Sequence, residues 1–532
     1  MSDVQSFYRR VFKRKDGLVG LAIVLFFVVV AVAAPYIVPY RNGYDPNQQY
    51  AAAPDAVPVW ATSLPGYSHL PPNVILPSSY AFQSFKTASS IDFWKVLDPS
   101  SGDFRLTYVA DQGPSGITAS VRGAYVVVNT GAGSESLTIT GGAGSPQTVY
   151  LYHRFVYDYS PPPIFYAQAA VEPLEVRNAD VAVYLYLNTS RGIYPLALMA
   201  TPGAQTYLES LPRVGTNYLS YFAQTQSTLS NRSWNFVEGV TLATQYMPLY
   251  YLNSSINPLT ASEQLFSHKG VYAVGELILV IPHGSYSVKL LQSDLKFQVF
   301  GKAYGILGSD ANGASVWSEF AMGTRVALEI GFGASALSLV IGIALGLVAG
   351  FFGGLVDSAL IFVFDFLLLL PGLILLIDLD TIFTVTHAVP NKVVLIILII
   401  GFLGFAGVSR IVRSQILGLK TRTYIDAARV MGASNGYILR NHVLKHTAGT
   451  IIALVTYIVP GTVVVDAGLD FLGLGILFQP TWGNMLANLL NEAAPSNGFL
   501  WWITLPVGAS IILLSVGFYL LGTAIQAEFG AA

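Results

Sequence analysis

Apolar residues fall along this chain in long unbroken runs towards its two ends, with a long mixed region between them. The runs cover residues 18–38, 326–351, 359–377, 393–408, 450–465 and 500–521. A membrane-crossing helix needs about 20 mainly apolar residues. Six transmembrane helices are therefore predicted, the fourth and fifth extending a few residues past their apolar cores. Between the first and second runs the pattern changes. Tyr, Ser, Thr, Gly and Pro dominate, and β-branched and aromatic residues gather in stretches such as Gln147–Tyr157, 181–187, 271–281 and 106–110. Glycine clusters at 131–133 and 141–144 punctuate them. A mostly β domain is expected here, a sandwich being one arrangement, with enough chain for its own core. Its aromatic and β-branched content argues against a disordered loop. The predicted fold class is an α-helical integral membrane protein carrying a mostly β extracytoplasmic domain. Its boundaries fall at 1–43 for the N-terminus and first span, 44–303 for the β domain and 304–532 for the remaining spans.

Composition sharpens the picture in a few places. The 532 residues are 53% hydrophobic and 11% charged, with a mean hydropathy of +0.54, far from an average soluble chain. A net charge of −2 gives no global attraction to nucleic acid. The lack of cysteine excludes disulfides, thiolate metal sites and cysteine nucleophiles. The cations are unevenly placed. Arg9, Arg10, Lys13, Arg14 and Lys15 precede the first run, and Arg410, Arg413, Lys420, Arg422, Arg429, Arg440 and Lys445 lie between the fourth and fifth. Residues 378–391 and 470–499 contain no Lys or Arg. By the positive-inside rule both termini and segment 410–447 face the cytoplasm, and the β domain lies outside. The first run lacks a small-residue cleavage site and reads as a retained anchor of a multi-pass plasma-membrane protein.

Between the fourth and fifth spans, Tyr424 to Lys445 is polar in an apolar setting. Asp426-Ala427-Ala428 is followed four residues later by Gly432, and a second amphipathic run starts at Ser434. Two short helices joined by a glycine would form a rigid knob on one side of the bilayer, suited to passing force to a soluble partner. This stretch resembles the EAA loop of ABC-transporter permeases, a Glu-Ala-Ala, three residues, Gly pattern with a hydrophobic tail. Asp426 stands in place of the usual Glu, and Lys445 where Pro is usual.

The resemblance to the dipeptide, oligopeptide and nickel permease family extends further. Residues Leu307-Gly308-Ser309-Asp310 through Gly323-Thr324-Arg325 are similar to its approach to the second span. Val356-Asp357, Asp365 and Pro371-Gly372 resemble its third span, and residues 405–413 its run into the coupling loop. Phe471-Leu472-Gly473-Leu474-Gly475 and Thr481-Trp482-Gly483-Asn484-Met485 match its later motifs. Phe362 stands where Arg is usual and Thr523 where Asp is common. The similarity covers about residues 1–42 and 303–526, so 44–303 reads as an insertion into the first external loop.

The resemblance implies a type I ABC importer permease that is not itself an enzyme. Its implied partners are a second homologous permease subunit, two cytoplasmic ATPase subunits that bind ATP and Mg, an extracytoplasmic solute-binding protein and the bilayer. The chain contains no Gly-x-x-x-x-Gly-Lys-Ser/Thr phosphate loop, and no cofactor is expected in it. The implied coupling loop is 421–446, with Asp426, Ala427, Ala428, Gly432, Ala433, Ser434 and Leu444 as its key residues. Small alanines would permit close approach, and Gly432 a sharp bend. Asp365, Asp466, Phe471, Gly473 and Gly475 are candidates for the translocation path or outer gate. An ionised group inside a span is costly unless paired or hydrated, and Asp365 has Arg325 and Arg410 as candidate partners. Peptides are the expected cargo, with nickel a smaller branch. The bulky external domain and its sequons fit an archaeal source and add oligosaccharides.

Other features carry blander readings. Asn188, Asn231 and Asn253 each begin a glycosylation sequon, but a Ser/Thr-rich domain acquires several by chance. The seven histidines show no metal spacing; His442 and His446 lie one helical turn apart but within the coupling region. Glu172 and Glu175 are expected to mark a solvated loop near Pro173. The insertion could dock the binding protein, bind glycan on its Tyr and Trp rings, or cover the pore mouth. A rival reading of the whole is a membrane-anchored surface or glycan-binding protein, which would have no need of Asp426–Lys445. A secondary transporter is a further rival, but the inverted repeats expected there are absent.

Overall fold

The computed structural model describes residues 14–38, 51–76, 95–97, 103–109, 118–121, 124–127, 134–142, 144–211, 227–240, 261–386, 391–476, 479–492 and 500–530. Arg9, Arg10, Lys13, Gly131, Gly133, Asn253 and His387 lie outside these. The chain divides into two compact units, 1–45 with 316–532, and 46–315.

The first unit is helical. Its long elements are α1 (Lys15–Ile37), α4 (Val316–Phe352), α5 (Gly354–Leu369), α6 (Gly372–Val385), α7 (Lys392–Lys420), α10 (Leu444–Phe471) and α12 (Trp501–Gly530). Between α7 and α10 lie α8 (Thr423–Val430) and α9 (Asn435–Ile438), and α11 (Trp482–Glu492) precedes α12. An apolar run in lipid must satisfy every backbone group internally, which selects the helix. Five described helices are long and apolar enough to cross a membrane, or six if one bent pair counts as a span. That pair corrects the third span expected over 359–377, which is broken within that range: Gly354–Leu369 and Ile374–Phe383 meet at 91°. The break falls at Leu370-Pro371, because Pro disfavours helical geometry in the residue before it.

A glycine stripe brings one helix pair into close contact. On α4, a Cβ at Gly342 would fall 2.5 Å from Val408 Cβ, at Gly346 2.8 Å from Ser409 O, and at Gly350 2.8 Å from Ile416 Cβ. Small residues every fourth position thus let the α4 and α7 backbones approach, the usual means of helix association in lipid. Trp482, at the start of α11, ties its own helix to two others. It is buried, stacks on Phe320 of α4 (6.1 Å, 21°) and meets Phe27 of α1 edge-on (5.7 Å).

The second unit holds a ten-stranded sheet built on two very long strands, β8 (Ile164–Thr189) and β12 (Gly270–Phe300). They pair antiparallel along most of their length, from Ala273↔Asn188 to Phe300↔Ile164, with register shifts at Pro282/Ser287, Lys289/Leu290 and Ser293/Lys296. Ordinary strands run about 3–10 residues, and these irregularities let longer ones bend. On β12, β7 (Gln147–Tyr157) pairs the first part and β6 (Ser134–Gly141) the later part. β9 (Gly192–Ala200) and β11 (Asn235–Val240) pair β8, and β3 (Asp103–Val109) pairs β6. β2 (Lys95–Leu97) pairs β7 and β10 (Ser227–Thr228) pairs β9, while β4 (Thr118–Val121) and β5 (Ala124–Val127) form a separate two-stranded sheet. α2 (Pro202–Ser210) and α3 (Ala261–Leu265) are short helices of this unit. The core packs Phe155, Tyr157, Phe165, Phe266, Tyr272 and Phe297 ring against ring. Glu172 and Glu175 lie within β8, correcting the expected solvated loop: Pro173 sits at the Lys289/Leu290 irregularity, where a missing N–H is tolerated. Glu175 pairs with Arg177 at 2.7 Å, and partial burial pushes the Glu172 carboxyl up.

The two ends of the β unit meet at a neck. β1 (Val74–Leu76) pairs residues 297–299 of β12. Ala51 and Ala52 donate to Gly313 O, Val57 to Lys302 O and Tyr304 back to Val57 O. Ser309 Oγ accepts from Ala56 N (2.8 Å) and donates to Ala53 O (2.5 Å). Residues 304–315, expected to open the membrane core, thus pack within the β unit.

Candidate functional site

The segment after α7 forms two short helices at a glycine. In α8, Ile425 and Ala428 are buried while Asp426 and Ala427 face outward. The helix closes with Gly432 at φ +84°. Gly432 N donates to Arg429 O and Ala433 N to Ala428 O, the paired bonds of a left-handed helix end. Ser434 then caps α9, its hydroxyl accepting from Tyr437 N at 3.3 Å. A π turn, Leu439–Val443, carries the chain into α10. Asp426 lies in the first turn of α8, where a carboxylate suits the helix dipole. It also faces Arg429 at 3.7 Å, a loose pair at the surface.

The inner face of this knob is bolted to the helices around it. Ile425, Ala428, Ile438 and Val443 join Phe351 of α4 and Val412 and Ile416 of α7 in one buried cluster, with Ala433 packed against it. Arg429 lies over the Phe351 ring at 5.9 Å. Tyr424 stacks on His446 at 5.2 Å, and Tyr437 meets His442 edge-on at 5.9 Å. His442 and His446 are therefore engaged by tyrosine rings, and His446 Nδ1 lies 2.7 Å from His442 O. On the outer face Val430 and Met431 are 88% and 82% exposed, joined by Ala427, Tyr437 and Leu444. Sequence reading missed Val430, Met431 and Tyr437 as surface; the signal was their place off the Ile425/Ala428 stripe.

The other candidates occupy different places. Asp365 pairs with Arg410 at 3.4 Å, while Arg325 pairs with its own helix neighbour Glu329. Asp357 holds Arg413 through two hydrogen bonds of 2.5 and 2.7 Å. Asp466 and Asp470 are buried one turn apart near the end of α10. Gly473, at φ +73°, ends that helix as Gly432 ends α8: Gly473 N donates to Asp470 O and Leu474 N to Leu469 O. Asp470 Oδ1 accepts from Ile476 N at 2.8 Å, filling the space beside Gly475, where a Cβ would fall 1.6 Å from that oxygen. Lys392 Nζ sits 2.7 Å from buried Asp380. Phe471 is partly exposed at the same end. Asp466, Phe471, Gly473 and Gly475 thus gather at one end of α10, away from the Asp365–Arg410 pair. In the β unit, Asn231 is exposed in a turn and Asn188 is half-buried in β8.

Comparisons with known proteins meet this geometry from outside. The profile for binding-protein-dependent transport system inner membrane components matches residues 342–529, which contain the knob and both glycine-ended helices. The profile for the N-terminal transmembrane domain of oligopeptide transport permease C matches residues 2–72. Residues 44–72 therefore have a family counterpart, contrary to expectation. The dipeptide transport system permease protein DppC of Alkalihalophilus pseudofirmus is 30% identical over 222 residues, 41% of this chain and 69% of that protein. The glutathione transport system permease protein GsiD of Pectobacterium atrosepticum is 33% identical over 221 residues, 41% and 70% of the two chains. The oligopeptide transport system permease protein OppC of Bacillus subtilis is 29% identical over 220 residues, 41% and 69% of the two chains. The chain belongs to the permease family of binding-protein-dependent ABC importers that includes the dipeptide and oligopeptide systems, and it carries a large β unit after its first membrane helix.

Proposed function

We propose that this chain is one of two six-span permease subunits of a peptide importer. ATP hydrolysis in two cytoplasmic ATPase subunits drives it, and an extracytoplasmic binding protein feeds it. The observation that carries this reading is the knob at 421–446. Its buried side is fixed to α4 and α7, and its outer side offers Ala427, Val430, Met431 and Tyr437 to a partner. A rigid body welded to two spans and exposed on its far face is what force transfer needs. When the ATPase pair closes on ATP, the knob follows, and α7 and α10 on either side of it shift between inward-open and outward-open states. Peptide cargo is supported by the names of the relatives. The Lys/Arg distribution supports a cytoplasmic knob, with both termini on that side and the β unit outside. No cofactor is assigned to this chain; ATP and Mg belong to the partner subunits.

Purification of the native chain in mild detergent tests this. Recovery with two phosphate-loop ATPases, a second permease and a solute-binding protein supports the reading. A chain that purifies free of any ATPase at every detergent strength overturns it.

A further inference from the structure

We infer that the Asp357–Arg413 pair, backed by Asp365–Arg410, is the strut that transmits motion of the knob to the broken third span. This inference rests on the knob being the ATPase contact. α5 is a rod with a flexible joint at each end. At one end Gly353 and Gly354 both sit at positive φ, +69° and +59°. At the other, the chain turns by 91° across the Leu370-Pro371 break. The apolar hold on the rod is one small cluster, in which Leu360 and Leu367 pack beside Phe364 against Ala349 of α4 and Phe405 and Ala406 of α7. Phe364 is its one buried side chain among those described, meeting Phe405 edge-on at 6.2 Å. Leu355, Phe362 and Leu369 are 90%, 72% and 83% exposed.

The charged contacts on α5 come from α7. Arg413 clamps Asp357 with a planar, two-point contact, both side chains mostly buried (24% and 15% exposed). Arg410, one turn away, reaches Asp365 two turns along the rod. The order of the pairs is that of antiparallel helices. A bidentate Arg–carboxylate contact fixes orientation as well as distance. α7 itself ends at Lys420, and only Thr421 and Arg422 separate it from α8. A displacement of the knob therefore moves Arg413 and Arg410 directly, and the doubly jointed rod follows them.

Charge reversal in the assembled transporter, reconstituted in vesicles with its ATPases and binding protein, tests the strut. The readout is peptide taken up per ATP hydrolysed. Asp357→Arg and Arg413→Asp alone are expected to lower that ratio about tenfold, and the double exchange to restore most of it, a coupling within the range of contacting pairs. Arg410→Gln should lower it only about twofold, as befits a half-exposed pair. If the single variants lose yield or thermal stability but keep the parent's uptake per ATP, the pair is only structural and the inference fails. It also fails if both single variants assemble poorly and a milder Arg413→Lys, which assembles, keeps the full ratio. A parent complex whose hydrolysis does not respond to substrate would instead overturn the reading of the knob.

Discussion

Gly432 and Gly473 end their helices by the same pair of bonds, and each needs a backbone conformation that a side chain resists. At Gly432 nothing lies within 4 Å of an added Cβ, so a substitution there reports backbone strain alone. Gly432→Ala should cost about 1 kcal/mol, whereas Gly436→Ala, inside α9 at ordinary φ, should be neutral or gain roughly 0.5 kcal/mol. Thermal unfolding of the two variants checks the contrast, and a larger loss at Gly436 would contradict it. A second residue-scale expectation concerns the neck. Burial pushes the Asp310 carboxyl up to about 6, against hydrogen bonds from Ala314 and Asn312 that lower it, with Asp55 nearby raising it slightly. A folded-state value above the unfolded one means the fold favours the protonated acid. Its stability contribution is thus full below the ordinary aspartate range and is lost as pH rises through about 6. Asp310→Asn keeps an oxygen for Ala314 N, so it should flatten the stability profile between about pH 4 and 6. An unchanged slope in thermal midpoint across that window would refute the assignment.

At the scale of elements, the glycine stripe on α4 makes a clear prediction. Gly346→Leu has no room against Ser409 and Val412 and should cost about 1–3 kcal/mol by overpacking. Gly407→Ala, on α7 with nothing within 4 Å, should be silent. Melting temperatures in detergent separate the two, and equal effects would mean the helices do not meet along this stripe. The apolar runs announced these helices because lipid imposes its demand on composition itself, residue by residue. The Asp-Ala-Ala-x-x-x-Gly pattern likewise exposed the knob, since Gly432 is chosen by local backbone geometry. Pro371 carried a local signal for the break of the third span, but the unbroken hydrophobicity on either side outweighed it. The Asp357–Arg413 clamp was not legible, because the partners are 56 positions apart and no local rule joins them. β8 and β12 were read as short strands for a similar reason. Their length depends on pairing with each other across 85 to 136 positions, and Pro173 looks locally like a stop.

For the whole molecule, the place where the β unit joins the rest is as telling as its fold. A Cβ at Gly301 would fall 2.2 Å from the Pro72 carbonyl carbon, so the chain leaves and returns at touching points. Asn73 ties the junction, its side chain accepting from Gly301 N at 2.7 Å and donating to Ala51 O. The segments on either side, 51–72 and 301–315, hydrogen-bond directly to each other, and Gln298 of β12 adds one bond to Ala51 O. One of them is also where the family profile ends, at residue 72. Loop closure over so short a gap is inexpensive. Excising residues 74–300 and joining Asn73 to Gly301 through a short Gly-Ser link should therefore leave a chain that inserts, assembles with its ATPases and couples hydrolysis to transport. The comparison to make is uptake by the shortened and full complexes over a range of binding-protein concentration. Normal maximal uptake with a raised concentration requirement would assign the β unit to docking. Normal uptake throughout would leave it a separate surface function such as glycan binding. Failure to insert or assemble would show that the β unit is structurally required by the membrane helices, against the independence that the neck implies.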